Sequence, residues 1–278
     1  MNIAILLSGH FRTTNFKALY DSYEKYIFKV NPSCTFDIFI STWNDTGLRS
    51  HFYYDENQND GIVSGELIDE SKIRDIFNPV YCNIENFNDK KETFKHKTHK
   101  IYELRDSLII NGTINENIKF NRILANCSMW YKWSDVEQLK QKHQLTTNKK
   151  YNVVIKSRCD FIFFKPIKLY EDFNILTPPW PTESALRQIR KDLNYDEELN
   201  DWWAIGDEKI ITKLNSLYNN YDILFEELKE PTLLKEFINP HRLPVYNLQK
   251  QGIDLRQIKK LKSTEGNKGI ILSRNPIA

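Results

Sequence analysis

Residues Ile3-Ala-Ile-Leu-Leu7 form a continuous apolar run that stops at Ser8-Gly9. A run this short, with no polar alternation, predicts a strand buried on both faces, and such a strand needs a layer of other structure on each side. Residues 14–30 follow with Phe16, Leu19, Tyr20, Tyr23, Ile27 and Val30 at helical spacing, and Phe36-Asp-Ile-Phe-Ile40 reads as a second strand closed by Ser41-Thr-Trp-Asn44. Strand, helix and strand in that order predict a βαβ unit and a parallel sheet.

The rest of the chain continues the pattern. Residues 45–65 are polar and predict a loop, 67–77 a helix, and Val80–Ile84 a third strand. The stretch Asn88–Lys100, with five lysines and two histidines, predicts a solvated loop. Helical spacing covers 98–110 and 117–143, where Trp130 and Trp133 lie three apart on one face and read as core. A strand over 152–157, a strand-like Trp202–Gly206, helices over 208–219 and 222–229, and a short strand Ile270–Leu272 complete an α/β chain with a mostly parallel central sheet flanked by helices.

Composition excludes some functions. A net charge of +2 and a pI near 8.2 are too mild for a nucleic-acid partner. Cys34, Cys82, Cys127 and Cys159 show neither CxxC nor a histidine at ligand spacing, which argues against zinc and for a reducing compartment. The chain opens directly on a strand and carries no apolar stretch long enough to cross a bilayer, so a cytoplasmic location with no transmembrane segment is expected.

Ligands of parallel α/β sheets bind beyond the carboxyl ends of the strands. That rule gathers Ser8-Gly-His-Phe-Arg12, Ser41-Thr-Trp-Asn44 and Lys156-Ser-Arg-Cys-Asp160 at one edge. Gly9 lets a backbone approach a ligand closely, and the guanidinium of Arg12 matches phosphate. Neither a Walker loop nor a GxGxxG fingerprint is present. Arg158 and Asp160 admit two readings: a pair that serves the architecture, or an Asp160 that ligates magnesium or manganese while Arg158 offsets diphosphate charge.

The ordered segments IAILLSGHFRT, FDIFISTW, NCSMWYKW, YNVVIKSRCDFIF and NDWWAIGD resemble a diffuse group of bacterial and viral polysaccharide or lipopolysaccharide glycosyltransferases with a GT-A-like, Rossmann-like fold. The resemblance covers most of residues 1–43 and 126–207. It departs from many GT-A enzymes at Arg158, which stands where those enzymes carry a metal-binding acid. It implies a single domain over 1–278, with a nucleotide-binding half over about 1–160 and an acceptor-side half over about 161–278. It also implies a nucleotide-sugar donor, a glycan acceptor, and Mn or Mg held by Asp160. By the same analogy Ser8, Gly9, His10 and Arg12 would line the nucleotide, Thr42, Trp43 and Asn44 the base or ribose, and Arg158 and Asp160 the diphosphate. Asp201 would be the catalytic base, with Trp180 and one of Trp202 and Trp203 facing the acceptor sugar. The alternatives are a sugar nucleotidyltransferase, disfavoured by the absence of a Gly-rich basic first loop, and a non-catalytic nucleotide- or carbohydrate-binding domain.

Overall fold

The computed structural model describes residues 1–12, 15–47, 65–111, 122–169, 175–177, 203–227, 241–254, 258–260 and 270–272, and the structural statements below concern those residues. In chain order the elements are β1 (Asn2–Ser8), α1 (Phe16–Tyr23), β2 (Thr35–Trp43), α2 (Glu70–Phe77), β3 (Tyr81–Glu85), α3 (Phe87–Ile110), α4 (Arg122–Thr147) and β4 (Val153–Arg158). They continue with β5 (Phe161–Phe163), β6 (Ile175–Thr177), β7 (Trp203–Asp207), α5 (Glu208–Asn215), α6 (Leu217–Glu227), α7 (Leu243–Lys250), β8 (Ile258–Lys260) and β9 (Ile270–Leu272).

The main sheet runs β3-β2-β1-β4-β7-β6-β8. Its first four strands are mutually parallel, β7 is antiparallel to both β4 and β6, and β8 is parallel to β6. A small antiparallel pair, β5 with β9, stands apart from it. The first strand therefore lies inside the sheet between β2 and β4, as its unbroken apolar run requires.

Alternation along each inner strand splits the side chains between two cores. Ile3, Ile5 and Leu7 join Ile38, Ile40, Val153 and Ile155 on the side of Phe16, Leu19 and Tyr23 from α1. Ala4, Leu6, Phe39 and Val154 face the opposite core with Trp130, Trp133 and Val136 of α4. Burying an aliphatic side chain of this kind stabilises by about 1.5–3 kcal/mol relative to leaving it in water, so both faces contribute.

One expectation is corrected. The lysine-rich stretch from Asn88 is not a loop but part of α3, a helix that begins at Phe87. Phe87, Phe94 and Ile101 recur every seventh residue and are buried, while the lysines occupy the rest of the circumference. Lys97 and Lys100 reach Asp222 and Glu226 of α6 at 2.8 and 3.0 Å. Among the described residues no helix is long and apolar enough to cross a membrane.

Candidate functional site

The parallel register sets Ser8 beside Ser41 on one flank and Arg158 on the other, so the carboxyl ends of β1, β2 and β4 open onto one place. Two backbone bonds close the strand ends together: the Gly9 N–H donates to the Ser41 carbonyl at 3.0 Å, and the Cys159 N–H to the Ser8 carbonyl at 3.1 Å. Gly9 turns the chain at φ 93°, where a side chain would be strained. Ser8 is buried, and its Oγ meets no hydrogen-bond partner among the described residues.

Asp160 follows β4 in a tight turn and is wholly buried. Its Oδ1 accepts from Arg158 Nε at 2.8 Å and its Oδ2 from Arg158 Nη2 at 2.6 Å, a bidentate fork. Arg12 closes on the same carboxylate from the β1 turn, with Nε 3.3 Å from Oδ2. Arg12 holds φ 55°, a left-handed backbone that costs a residue with a side chain about 1–2 kcal/mol. Both arginine side chains keep some contact with solvent, 11% for Arg158 and 21% for Arg12. The structure thus shows Arg158 and Asp160 paired, and adds a second arginine from 148 positions earlier in the chain.

A divalent cation does not fit this donor set. Coordination to Asp160 would bring it to about 4 Å from two guanidiniums, where a doubly charged ion and a guanidinium repel by roughly 8 kcal/mol even at an effective dielectric near 20. Among the described residues no group of three or more His, Cys, Asp and Glu is arranged to hold a metal. Among the described residues, the positive charge against Asp160 comes from Arg158 and Arg12.

His10 lies across the mouth. Its Nδ1 is 3.2 Å from Asp45 Oδ1 and 3.3 Å from the Asp45 carbonyl oxygen, contacts that require the proton on Nδ1. Burial pushes the Asp45 carboxyl up, but the hydrogen bond and charge of His10 and the N–H groups of Gly47 and Gly65 outweigh it and leave it below the ordinary value. Gly47 is needed for this closure: it has φ 62°, and a Cβ there would stand 2.8 Å from the His10 ring.

Other expected ligand contacts are relocated. Trp43 is buried in an aromatic cluster, stacked on Tyr131 at 6.1 Å with Phe87 edge-on at 5.3 Å, so its faces are not offered to a base. Thr42 is also buried, its Oγ1 donating to the Trp43 carbonyl at 3.2 Å. Asn44 is half-buried, and its backbone ties β2 to Glu85 and Ile68 at 2.8 and 2.9 Å. Trp203 has no exposed surface and packs on Phe161 and Phe163, which makes it a core residue and not an acceptor face. Asp201, Trp202 and Trp180 lie outside the described residues.

A polar cluster that the sequence did not announce occupies the carboxyl ends of β2 and β3. Lys132 on α4 is wholly buried, donates to Glu85 Oε2 at 2.7 Å and lies 4.1 Å from the centre of the Trp43 ring. Tyr131 donates to the same carboxylate, and Asp135 accepts from Ser41 Oγ at 2.5 Å and Asn83 Nδ2 at 2.7 Å. Burial lowers the Lys132 pKa despite Glu85. The available signal was a lysine inside the aromatic run Met129-Trp-Tyr-Lys-Trp133, since a charge enclosed by an apolar helix face needs a partner.

Comparison with protein-family models found no match to the chain, and a search of curated proteins likewise found none.

Proposed function

We propose that the chain is a glycosyltransferase that moves a sugar from a nucleotide-activated donor to a glycan acceptor on a surface polysaccharide or glycoprotein. The GT-A variant of the α/β architecture and a cytoplasmic location belong to the same proposal, the latter supported by four cysteines that are all free. The observation that carries it is the meeting of the Ser8–Arg12 turn with the Arg158–Asp160 turn at the mouth of the parallel strands. Two arginines at that place suit a diphosphate, because a guanidinium matches phosphate oxygens in pairs. Ser8, Gly9 and His10 line the same turn.

In a direct displacement, the acceptor hydroxyl oxygen forms a bond to the anomeric carbon while the bond from that carbon to the phosphate oxygen breaks. The nucleoside diphosphate leaves with the electron pair, and the hydroxyl proton passes to a carboxylate, the role proposed for Asp201. Arginines on the departing diphosphate would stabilise the charge that develops there. The buried, fully engaged Asp160 favours one rival, a nucleotide-binding domain without turnover.

The test is a panel of nucleotide sugars scored by thermal shift, then by donor hydrolysis and by transfer to glycan acceptors. Stabilisation by one donor together with its slow hydrolysis is expected. Stabilisation with neither hydrolysis nor transfer would favour the binding domain, and no stabilisation by any donor would end the proposal.

A further inference from the structure

We infer that the mouth of the sheet binds the donor's diphosphate without a divalent cation, and that Asp160 is a positioning residue which holds Arg12 and Arg158 together. The inference rests on the donor reading above and adds to it the chemistry of phosphate recognition. Three observations converge on it.

Asp160 has no exposed surface, and both of its oxygens receive guanidinium N–H groups, so its carboxylate is spent inside the protein. A hard cation seeks open carboxylate oxygen, and magnesium also keeps several of its waters, for which a wholly buried carboxylate forked by Arg158 leaves poor provision. The two arginines come from different strand ends, β1 and β4, and the shared carboxylate offsets part of their mutual repulsion. Arg12 reaches it from a left-handed backbone that costs energy to maintain, and the contact with Asp160 helps to offset that cost.

A guanidinium carries N–H donors on three nitrogens, so a bond to one carboxylate is compatible with a second anion on the same group. Phosphate at this place would receive the directed, charge-assisted donors that a metal ion supplies elsewhere only as a point charge. Asp160 would touch no phosphate itself. Its part is to fix where the donors point.

The experiment is titration of the whole chain with UDP, GDP, CDP and dTDP by calorimetry, in excess chelator and again in magnesium or manganese. One nucleotide is expected to bind with the same affinity in all conditions. Arg12→Lys, which keeps the charge and loses the fork, should weaken that binding about tenfold or more, the scale of one charge-assisted hydrogen bond. Arg158→Lys should do the same, and because it disturbs a buried pair, Arg12→Lys serves as the variant that retains the bidentate Arg158–Asp160 contact. Asp160→Asn should weaken the binding about tenfold or more while what remains stays insensitive to chelator, and unchanged affinity in Asp160→Asn would remove its positioning role. The unliganded melting temperature of each variant separates misfolding from lost recognition.

Binding that appears only with metal, or that tightens markedly when metal is added, overturns the inference and leaves the donor reading standing. Chelator-insensitive binding that ignores both arginine variants also overturns it, because the phosphates then lie elsewhere. Failure of every nucleotide in every condition overturns the donor reading and the inference with it.

Discussion

Acidic residues of similar appearance in the sequence have different duties in the fold. Asp207, a neighbour of the proposed base Asp201, caps α5 by accepting from the Lys209 N–H at 2.8 Å. Asp160 is buried between guanidiniums, and Asp45 orients His10. These placements sharpen the test of the base. Asp207→Ala should cost about 1 kcal/mol of stability, the usual value of a helix cap, with transfer retained. Asp201→Ala should retain donor affinity and lose transfer. Near-normal transfer in Asp201→Ala, measured alongside Asp196, Glu197 and Glu198 variants, would remove it from the mechanism. A retaining mechanism, which needs no such base, would then be the better account.

At the scale of elements, α3 shows how a helix can hide in a charged sequence. Its apolar positions Phe87, Phe94 and Ile101 are seven apart, which keeps them near one stripe because two helical turns nearly close on seven residues. Windows of a dozen residues contain only one or two of them among the lysines, so the local periodicity is weak and the composition reads as loop. The stripe carries the attachment, since Phe94 is buried against Trp43, Tyr131 and Tyr218. Phe94→Ala should therefore destabilise by about 3–5 kcal/mol in chemical denaturation. Lys95→Ala, whose partner Glu92 is well exposed, should stay within about 0.5 kcal/mol. Comparable losses in the two variants would mean that the charged face, not the apolar stripe, anchors the helix.

For the whole molecule, the buried ion pairs set a direction for acid stability. Burial raises the Glu85 carboxyl, but Lys132, Lys90 and the Tyr131 hydroxyl outweigh it and hold it below its ordinary value of 4.5; Asp45 is likewise held below 3.8. A carboxyl whose pKa falls on folding adds stability that is complete above its unfolded value and is lost as the pH drops through the folded one. The urea midpoint should therefore be level above about pH 5 and decline below it. Glu85→Gln should start lower, because it strands a buried ammonium, and should show a shallower decline. A decline of unchanged steepness in that variant would assign the acid sensitivity to other carboxyls.

Sequence alone determined the α/β class, the inner strands and the edge at which the candidate site residues gather. Those features follow from local rules: an unbroken apolar run demands cover on both faces, and a parallel sheet aligns its carboxyl ends. Tertiary structure decided what each residue at that edge does. Trp43 was expected to meet a ligand and Trp203 was one of two candidates for the acceptor face, yet α3 and α4 enclose the first and β5 packs over the second. Lys132 finds Glu85 only because α4 crosses the ends of β2 and β3. Arg12 joins Arg158 on Asp160 across more than half the length of the chain, a contact with no local signal. The physical reason is that burial and charge pairing depend on which elements cover a position, and that covering is settled by packing between segments far apart in sequence.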